Sequence, residues 1–400
     1  MMLPNGWKKV RLSELGTFSK GSGIKRDEAN SGSIPAIRYG EIYTAHNDYI
    51  KQFQSFISEN VAKEATLLKN GDLLFSCSGE TKEDIGKCVA FVSNERAYAG
   101  GDIIILSPTV PCDSKYIGFL CNSSFVNKQR YSFAQGDSIV HISSESIGKI
   151  EILFPPLNEQ KKIAATLSVW DSAIEKMEKL IEVKSRNFNL LMEKLIVKQP
   201  LKKQSKTYPI KDLFDVVNRK NKVGNTNVLT SSAQYGLVNQ QEYYKKKIAS
   251  SDISGYYLLK KGDFAYNRSY STGYPYGVIK RLDKYESGVL STLYLCMTLK
   301  DEYKSFSDYF VFLFESGYLN NQLALICREG ARNHGLLNVS KDDFFNMKVQ
   351  LPSEKEQQNI VCILQNHSCE LSLLKQQLEN YKKQKQGLMQ KLLTGQWRVK

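Results

Sequence analysis

The chain repeats itself. PPLNEQKKIAATL (Pro155–Leu167) and PSEKEQQNIVCIL (Pro352–Leu364) align without a gap at an offset of 197 residues, 352 − 155. The same offset pairs Glu159-Gln160 with Glu356-Gln357, Ile163 with Ile360, and LMEKL (Leu191–Leu195) with LMQKL (Leu388–Leu392). An ungapped repeat of roughly 40 residues means two copies of one structural unit. The 400 residues are enough for two to three domains, each with its own core.

Within each copy the apolar residues step alternately by four and three. The first runs Ile163, Leu167, Trp170, Ile174, Met177, Ile181, Lys184, Phe188, Leu191, Leu195; the second runs Ile360, Leu364, His367, Leu371, Leu374, Leu378, Tyr381, Lys385, Leu388, Leu392. That alternation is the seam of a coiled coil, interrupted here only by Lys184, His367 and Lys385, with Tyr381 amphipathic. His367 and Lys385 read as register markers or as side chains that extend a charged end to water. A proline ahead of each copy suits a helix start, and the glycine of LTGQ suits the second stop. Each helix spans about 32 rises, roughly 48 Å. The simplest arrangement pairs the two helices antiparallel.

The repeat also reaches beyond the helices. His141-Ile142-Ser143 matches Asn338-Val339-Ser340, NGDLLFS (Asn70–Ser76) parallels KGDFAYN (Lys261–Asn267), and RLSELG (Arg11–Gly16) resembles PIKDLF (Pro209–Phe214). Elsewhere the halves diverge. The organisation is therefore a globular region over 1–152, a long helix over 153–199, a second globular region over 200–350 and a second long helix over 351–400. VKQPLKKQSKTYP (Val197–Pro209) reads as a polar, basic linker. Short strands such as DIIILS and TLYLCMTL, at least one helix (DYFVFLFESGYLNNQL) and Gly-rich turns give an α+β class, two α/β domains with small curved sheets.

The net charge of +14 and pI of about 9.2 favour a polyanionic partner such as nucleic acid. The eight cysteines form no CxxC and no zinc spacing with the four histidines, so they read as free thiols of a reducing cytoplasm, with no metal site. The opening MMLPNGWKKVRL has no apolar core, and no window approaches 18 apolar residues, so neither a signal peptide nor a membrane span is expected.

Taken together, these features resemble the specificity subunit of type I restriction–modification systems. The resemblance covers essentially the whole chain. It is carried by the GWKKVRLSELG opening, the Gly71-Asp72 and Gly262-Asp263 segments, the paired P…EQ…I helix starts, and LMEKL with LMQKLLTGQWR. It implies two target-recognition domains, each reading one half of a split site in double-stranded DNA, joined by two spacer helices. It also implies docking of two modification (methyltransferase) subunits, with restriction subunits joining that core. S-adenosylmethionine, ATP and Mg2+ would belong to those partners, leaving this chain a non-catalytic subunit without a cofactor. The physics fits: B-DNA repeats every 34–36 Å, so two readers on a rod of roughly 48 Å would read two tracts at fixed separation.

Base readout needs donors and acceptors on loops, and phosphate contacts need Lys, Arg and small polar groups. The loop after the first GD offers Ser78, Thr81 and Lys82; its counterpart offers Arg268, Tyr270 and Thr272. Lys20, Lys25 and Arg26 in SKGSGIKR, and Arg219, Lys220 and Lys222 in NRKNKVGN, are candidate phosphate contacts. Arg38 and Tyr39 lie beside a turn, and REGARNHG offers Arg332, Asn333 and His334, with FAQGDS as its equivalent.

Two rivals compete with this reading. Asp72, Glu80 and Lys82 form D-x7-E-x-K, the loose outline of a metal-dependent nuclease, but the second half has no such lysine. There is neither a GxxxxGK[ST] phosphate loop nor an Asn/Asp-Pro-Pro-aromatic turn of an adenine methyltransferase. A coiled-coil scaffold would explain the helices but not two basic, loop-rich domains that diverge within one frame.

Overall fold

The computed structural model describes residues 3–79, 81, 84–133, 140–198, 205–244, 250, 252–270, 273–327 and 337–399. The chain divides into two compact units, Met1–Glu178 with Gln376–Lys400, and Lys179–Lys375.

In the first unit, Lys8–Arg11 pairs antiparallel with Glu151–Phe154, the strand that leads into the first long helix. A four-stranded antiparallel sheet follows the order Gly16–Lys20, Ile103–Pro108, Leu73–Ser76, Cys88–Ala90, with Ile105 opposite Ser19 on one side and Leu74 on the other. Its central strands are continuous apolar runs because both faces are covered. Leu73, Phe75, Ile104 and Leu106 enter one core, whereas Leu74, Ile103 and Ile105 enter another on the opposite face, as the two-residue period of a strand requires. Each fully buried side chain of this size contributes about 1.5–3 kcal/mol. A second sheet, Ser55–Ile57, Ile34–Ile37, Tyr98–Ala99, Thr66–Leu67, holds one parallel pair, Ile34–Ile37 with Tyr98–Ala99.

The second unit repeats that frame. Lys206–Pro209 pairs with Lys348–Leu351, and a sheet runs Phe214–Val216, Leu295–Leu299, Phe264–Asn267, Val278–Arg281, antiparallel throughout and in the same order. Phe264, Tyr266, Met297 and Leu299 face one core, and Ala265 and Cys296 the other. The strand at Lys206–Pro209 corrects the expected linker: its last four residues are the edge strand equivalent to Lys8–Arg11, because Tyr208 packs inward beside Tyr303, 6.2 Å between ring centroids. Where the first unit has its second sheet, the second has the hairpin Leu229–Ser232/Gly236–Asn239 and the pair Tyr257–Lys260/Ser287–Leu290.

The repeated residues hold repeated joints. Ser143 and Ser340 cap short helices by accepting from the amides of Ser146 and Asp343, while their neighbours Ile142 and Val339 are buried. Gln160 Nε2 donates to Pro155 O at 2.8 Å, and Gln357 Nε2 donates to Pro352 O at 3.0 Å, fastening each helix start to its proline. The Gly-Asp turns match as well. Gly71 and Gly262 take φ of 102° and 90°, where a side chain would be strained, and Asp72 and Asp263 accept from the amides of Lys69 and Lys260 at 2.8 and 2.7 Å.

The long helices are Leu157–Met192, continued by a π turn at Glu193–Val197, and Glu354–Leu393, stopped ahead of Gly395 at φ 71°. Both contribute to both units, and in each unit they pack antiparallel. In the first, Ile163 and Leu167 share a core with Leu392, with Leu388 packed against it; Trp170 meets Tyr381 edge-to-face at 5.9 Å, and Asp171 meets Lys385. In the second, Lys184 Nζ donates to Glu370 Oε1 at 2.6 Å, and Met192 and Ile196 share a core with Ile360 and Leu364. Ile174, Met177, Ile181, Phe188, Leu191, Leu195, Leu374 and Leu378 are half-buried, and Leu371 is buried. Among the described residues no helix is long and apolar enough to cross a membrane.

Candidate nucleic-acid interface

The candidate contact residues of the first unit gather around one glycine turn. Gly23 O accepts from Gly101 N, Ala99 O accepts from Ser22 N, Ile37 O accepts from Gly100 N, and Asp102 O accepts from Cys77 N. These four bonds bring the loop Ser19–Arg26, the start of the helix at Arg38-Tyr39, and the strand end before Ser78 onto one edge. The approach is close: a Cβ on Gly21 would lie 2.0 Å from Gly100 O. Ile24 and Asp102 take φ of 58° and 60°, strained values for residues with side chains, and Ile24 is held there by its burial. Lys20, Lys25 and Arg26 project from this rigid edge and are exposed. The Gly100-Gly101-Asp102 turn went unnoticed in the sequence, although a Gly pair ahead of a strand is a turn signal.

Other candidates are engaged internally. Ser78 is buried, with its Oγ 3.1 Å from His141 Nδ1. Thr81 is exposed but donates to Asp84 Oδ2 at 2.6 Å. Arg38 and Tyr39 are half-buried, and the Arg38 amide donates to Glu41.

In the second unit Arg219 forms an ion pair with Asp263 and donates to Leu258 O at 3.3 Å. Lys220 is exposed, over the Tyr257 ring at 4.1 Å and donating to Gly255 O; Lys222 is exposed. Arg268 donates to Leu293 O and Val339 O, clamping its loop, and lines a cleft of about 150 Å3 with Asn218, Tyr257, Thr292 and Lys341. Tyr270 is 63% exposed. Sequence reasoning missed an asparagine network here. Buried Asn221 bonds Asn225 through both side-chain atoms, Asn225 donates to Ser287, and Asn239 donates to Asn227. Four asparagines in a loop-rich segment were the available signal. Lys82, Thr272, Arg332, Asn333 and His334 lie outside the described residues, as does most of FAQGDS.

The nuclease outline does not stand up in this geometry. Asp72 is buried, with one oxygen on the Lys69 amide and the other accepting from Ser107 Oγ at 2.7 Å, so it locks a turn and faces no solvent. Glu80, like Lys82, is outside the described residues, among which no group of His, Cys, Asp or Glu could hold a metal ion. All eight cysteines are free thiols. Burial beside Asp263 raises Cys296 to about 12, which keeps that thiol protonated and inert.

The family model for the type I restriction modification DNA specificity domain matches twice, over residues 4–185 and 202–382. The specificity subunit of the EcoKI type I restriction enzyme of Escherichia coli (strain K12) is 23% identical over 437 aligned positions, covering 99% of this chain and 91% of that protein. The MjaVIII specificity subunit of Methanocaldococcus jannaschii is also 23% identical, over 100% of this chain and 95% of its own length. Among solved structures, the type I restriction–modification S subunit from M. genitalium superposes with a TM-score of 0.58 at 15% identity over 98% of both chains. A structure described for the assembly and conformational transition of the type I system gives 0.60 at 15% identity, over 99% of this chain and 100% of that one.

Proposed function

We propose that this chain, which belongs to the type I restriction–modification DNA specificity family, reads a two-part site in double-stranded DNA, one tract per unit. It is the specificity subunit of such a complex, not its catalyst. The single observation that carries the two-part reading is the doubled family match, over 4–185 and 202–382. Support comes from the shared frame: the same sheet order, the same Gly-Asp turn and the same helix joint occur in both units, while the loops between them differ. Divergence within a constant frame is what two readers of different tracts require.

In this reading the exposed Lys20, Lys25, Arg26, Lys220 and Lys222 contact phosphates, and Tyr270 with the neighbouring loop residues faces base edges. The long helices dock two methyltransferase subunits, and two restriction subunits join that core in the cytoplasm. S-adenosylmethionine, ATP and Mg2+ act in those partners.

The test is methylated-base mapping by long-read sequencing in cells that co-express this chain with its methyltransferase, with deletion of this chain as control. A split motif around a fixed unread gap, lost on deletion, is the expected outcome. A continuous motif, or methylation indifferent to the chain, sinks the reading in favour of a coiled-coil scaffold.

A further inference from the structure

The repeat leaves one polar residue exposed at the same place in each unit. His141-Ile142-Ser143 corresponds to Asn338-Val339-Ser340. Ile142 and Val339 are buried, and Ser143 and Ser340 cap helices, so both of those positions serve the frame. His141 and Asn338, one step earlier, are exposed.

Both are pinned to the same strand end. In the first unit His141 lies opposite Ser78 in the antiparallel pair Ser78–Gly79/Val140–His141, and Ile142 N donates to Cys77 O at 3.1 Å. In the second unit Arg268 holds both neighbours of Asn338. Its carbonyl accepts from Leu337 N at 2.8 Å, and its Nη1 donates to Val339 O at 3.2 Å. Cys77 and Arg268 each follow the equivalent sheet strand, Leu73–Ser76 and Phe264–Asn267. His141 therefore lies beside the Gly100-Gly101-Asp102 turn, because Cys77 N donates to Asp102 O. Asn338 lies beside the cleft that Arg268 lines with Thr292 and Lys341. These are the edges that carry the candidate phosphate contacts. A backbone held on both sides leaves each side chain little freedom to lose on binding.

The chemistry at the two positions differs. Ser78 is buried, and its Oγ lies 3.1 Å from His141 Nδ1. Among the described residues that nitrogen is the one strong acceptor for the Ser78 hydroxyl, so the hydroxyl donates to it. The ring is then held in the tautomer that keeps its proton on Nε2, a single fixed donor. Such a donor matches N7 and O6 of guanine, which are acceptors in the major groove. Asn338 carries a donor and an acceptor side by side, the pair that matches N6 and N7 of adenine. Equivalent points of one frame thus present different base-reading groups.

We infer that His141 and Asn338 are base-reading side chains, one in each unit, and that Ser78 is the positioning residue that orients the His141 ring. The inference rests on the DNA-reading function above. It moves specificity in the first unit from Ser78 itself to the residue that Ser78 holds.

The test maps methylated bases by long-read sequencing in cells that co-express the full chain, as wild type, H141A, N338A or S78A, with its methyltransferase. His141 and Asn338 are exposed, so their variants leave the core intact. H141A is expected to relax one guanine in one tract, and N338A one adenine in the other tract, with every other position still strict. S78A is expected to relax the same guanine as H141A and nothing else, a pattern that general loosening of the unit would not produce. An unchanged motif in H141A and N338A overturns the inference. So does relaxation of a single tract by both variants, or a uniform fall in methylation with all positions strict, which would assign the two residues to phosphates. Where a variant abolishes methylation, anisotropy of the purified complex on labelled duplexes with single base-pair changes decides. The wild type is expected to bind roughly 5- to 150-fold more weakly when the read base pair is changed, and the variant to bind both duplexes alike. Discrimination that persists in the variant overturns its assignment. A split wild-type motif with unaltered variants defeats this inference alone; a wild type without a split motif defeats the DNA-reading function as well.

Discussion

In the first unit, Lys385 reaches from the second long helix to Asp171 of the first and to Asp48 of the globular part, and its ammonium lies 5.2 Å from the Phe119 ring. The position one repeat earlier, Phe188 in the second unit, meets Phe312 edge-to-face at 6.5 Å. Equivalent seam sites thus hold a buried ion cluster in one unit and an aromatic pair in the other. The neighbouring seam pair is inverted: Trp170 packs on Tyr381 in the first unit, whereas their repeat equivalents in the second, His367 and Lys184, both gather at Glu370, with His367 Nδ1 at 3.8 Å. A repeated backbone frame therefore tolerates opposite side-chain chemistry, provided each site satisfies its own members. In the ion cluster that satisfaction is incomplete. Asp171 Oδ2 is buried and unpartnered, and burial raises the Asp171 pKa despite Lys385 beside it. The cluster lines a cleft of about 610 Å3 in the first unit.

The contrast is open to direct attack. Removing one member of a buried ion pair strands the other charge, so Lys385→Ala should cost about 3–5 kcal/mol. Phe188→Ala, at a half-buried site, should cost about 2 kcal/mol. Urea unfolding measures both. All three tryptophans, Trp7, Trp170 and Trp397, lie in the first unit, so their fluorescence reports on that unit. A loss below about 1 kcal/mol for Lys385→Ala would mean that the cluster is effectively solvated and that the contrast is cosmetic.

Acid should find the first unit next. His46 is buried, and burial together with Lys87 lowers its pKa to about 4 from 6.5. Its folded value is depressed, so the unfolded chain binds the extra proton between those two pH values. The stability that neutral His46 supplies is complete above pH 6.5 and falls by about 3 kcal/mol as pH drops to about 4. His46→Gln should remove that part of the acid sensitivity in denaturant melts followed by tryptophan emission. An acid profile identical to the wild type would assign the loss to other groups.

The Gly-Asp turns give a smaller contrast. Asp72→Ala frees the Lys69 amide and the Ser107 hydroxyl, and should cost about 1–3 kcal/mol. Asp263→Ala should cost less, because its charged partner Arg219 is partly exposed and regains water. Equal losses would show that the amide bond common to both turns is what matters. The smallest effects lie on the surface. Replacing Lys20, Lys25 and Arg26 by Gln should reduce the salt dependence of DNA affinity by about 2.7 in slope, and replacing Lys220 and Lys222 by about 1.8, at about 0.9 per phosphate contact. Folding should be unchanged, and titrations at several salt concentrations would reveal either set to be idle.

Much of the frame was written in local patterns. The 197-residue offset, the alternation of four and three through Ile163–Leu195 and Ile360–Leu392, the prolines ahead of each helix and the Gly-Asp turns are all local periodicities or single-residue conformational demands. The structure reproduces the helices, their antiparallel packing and the equivalence of the two strands that follow the Gly-Asp turns. Where the seam is polar, sequence could say only that Lys184, His367 and Lys385 interrupt it. The identity of each partner depended on residues far along the chain: Asp48 and Asp171 for Lys385, Glu370 for Lys184 and His367. The candidate interface was legible as loops but not as side-chain roles. Ser78 and Arg268 have the composition of contact residues, yet one turns inward to His141 and the other holds the carbonyls of Leu293 and Val339. Periodicity determines which face of an element is buried because the backbone repeats every few residues; which polar groups meet across that buried space is a matter of tertiary distance, and only the folded chain decides it.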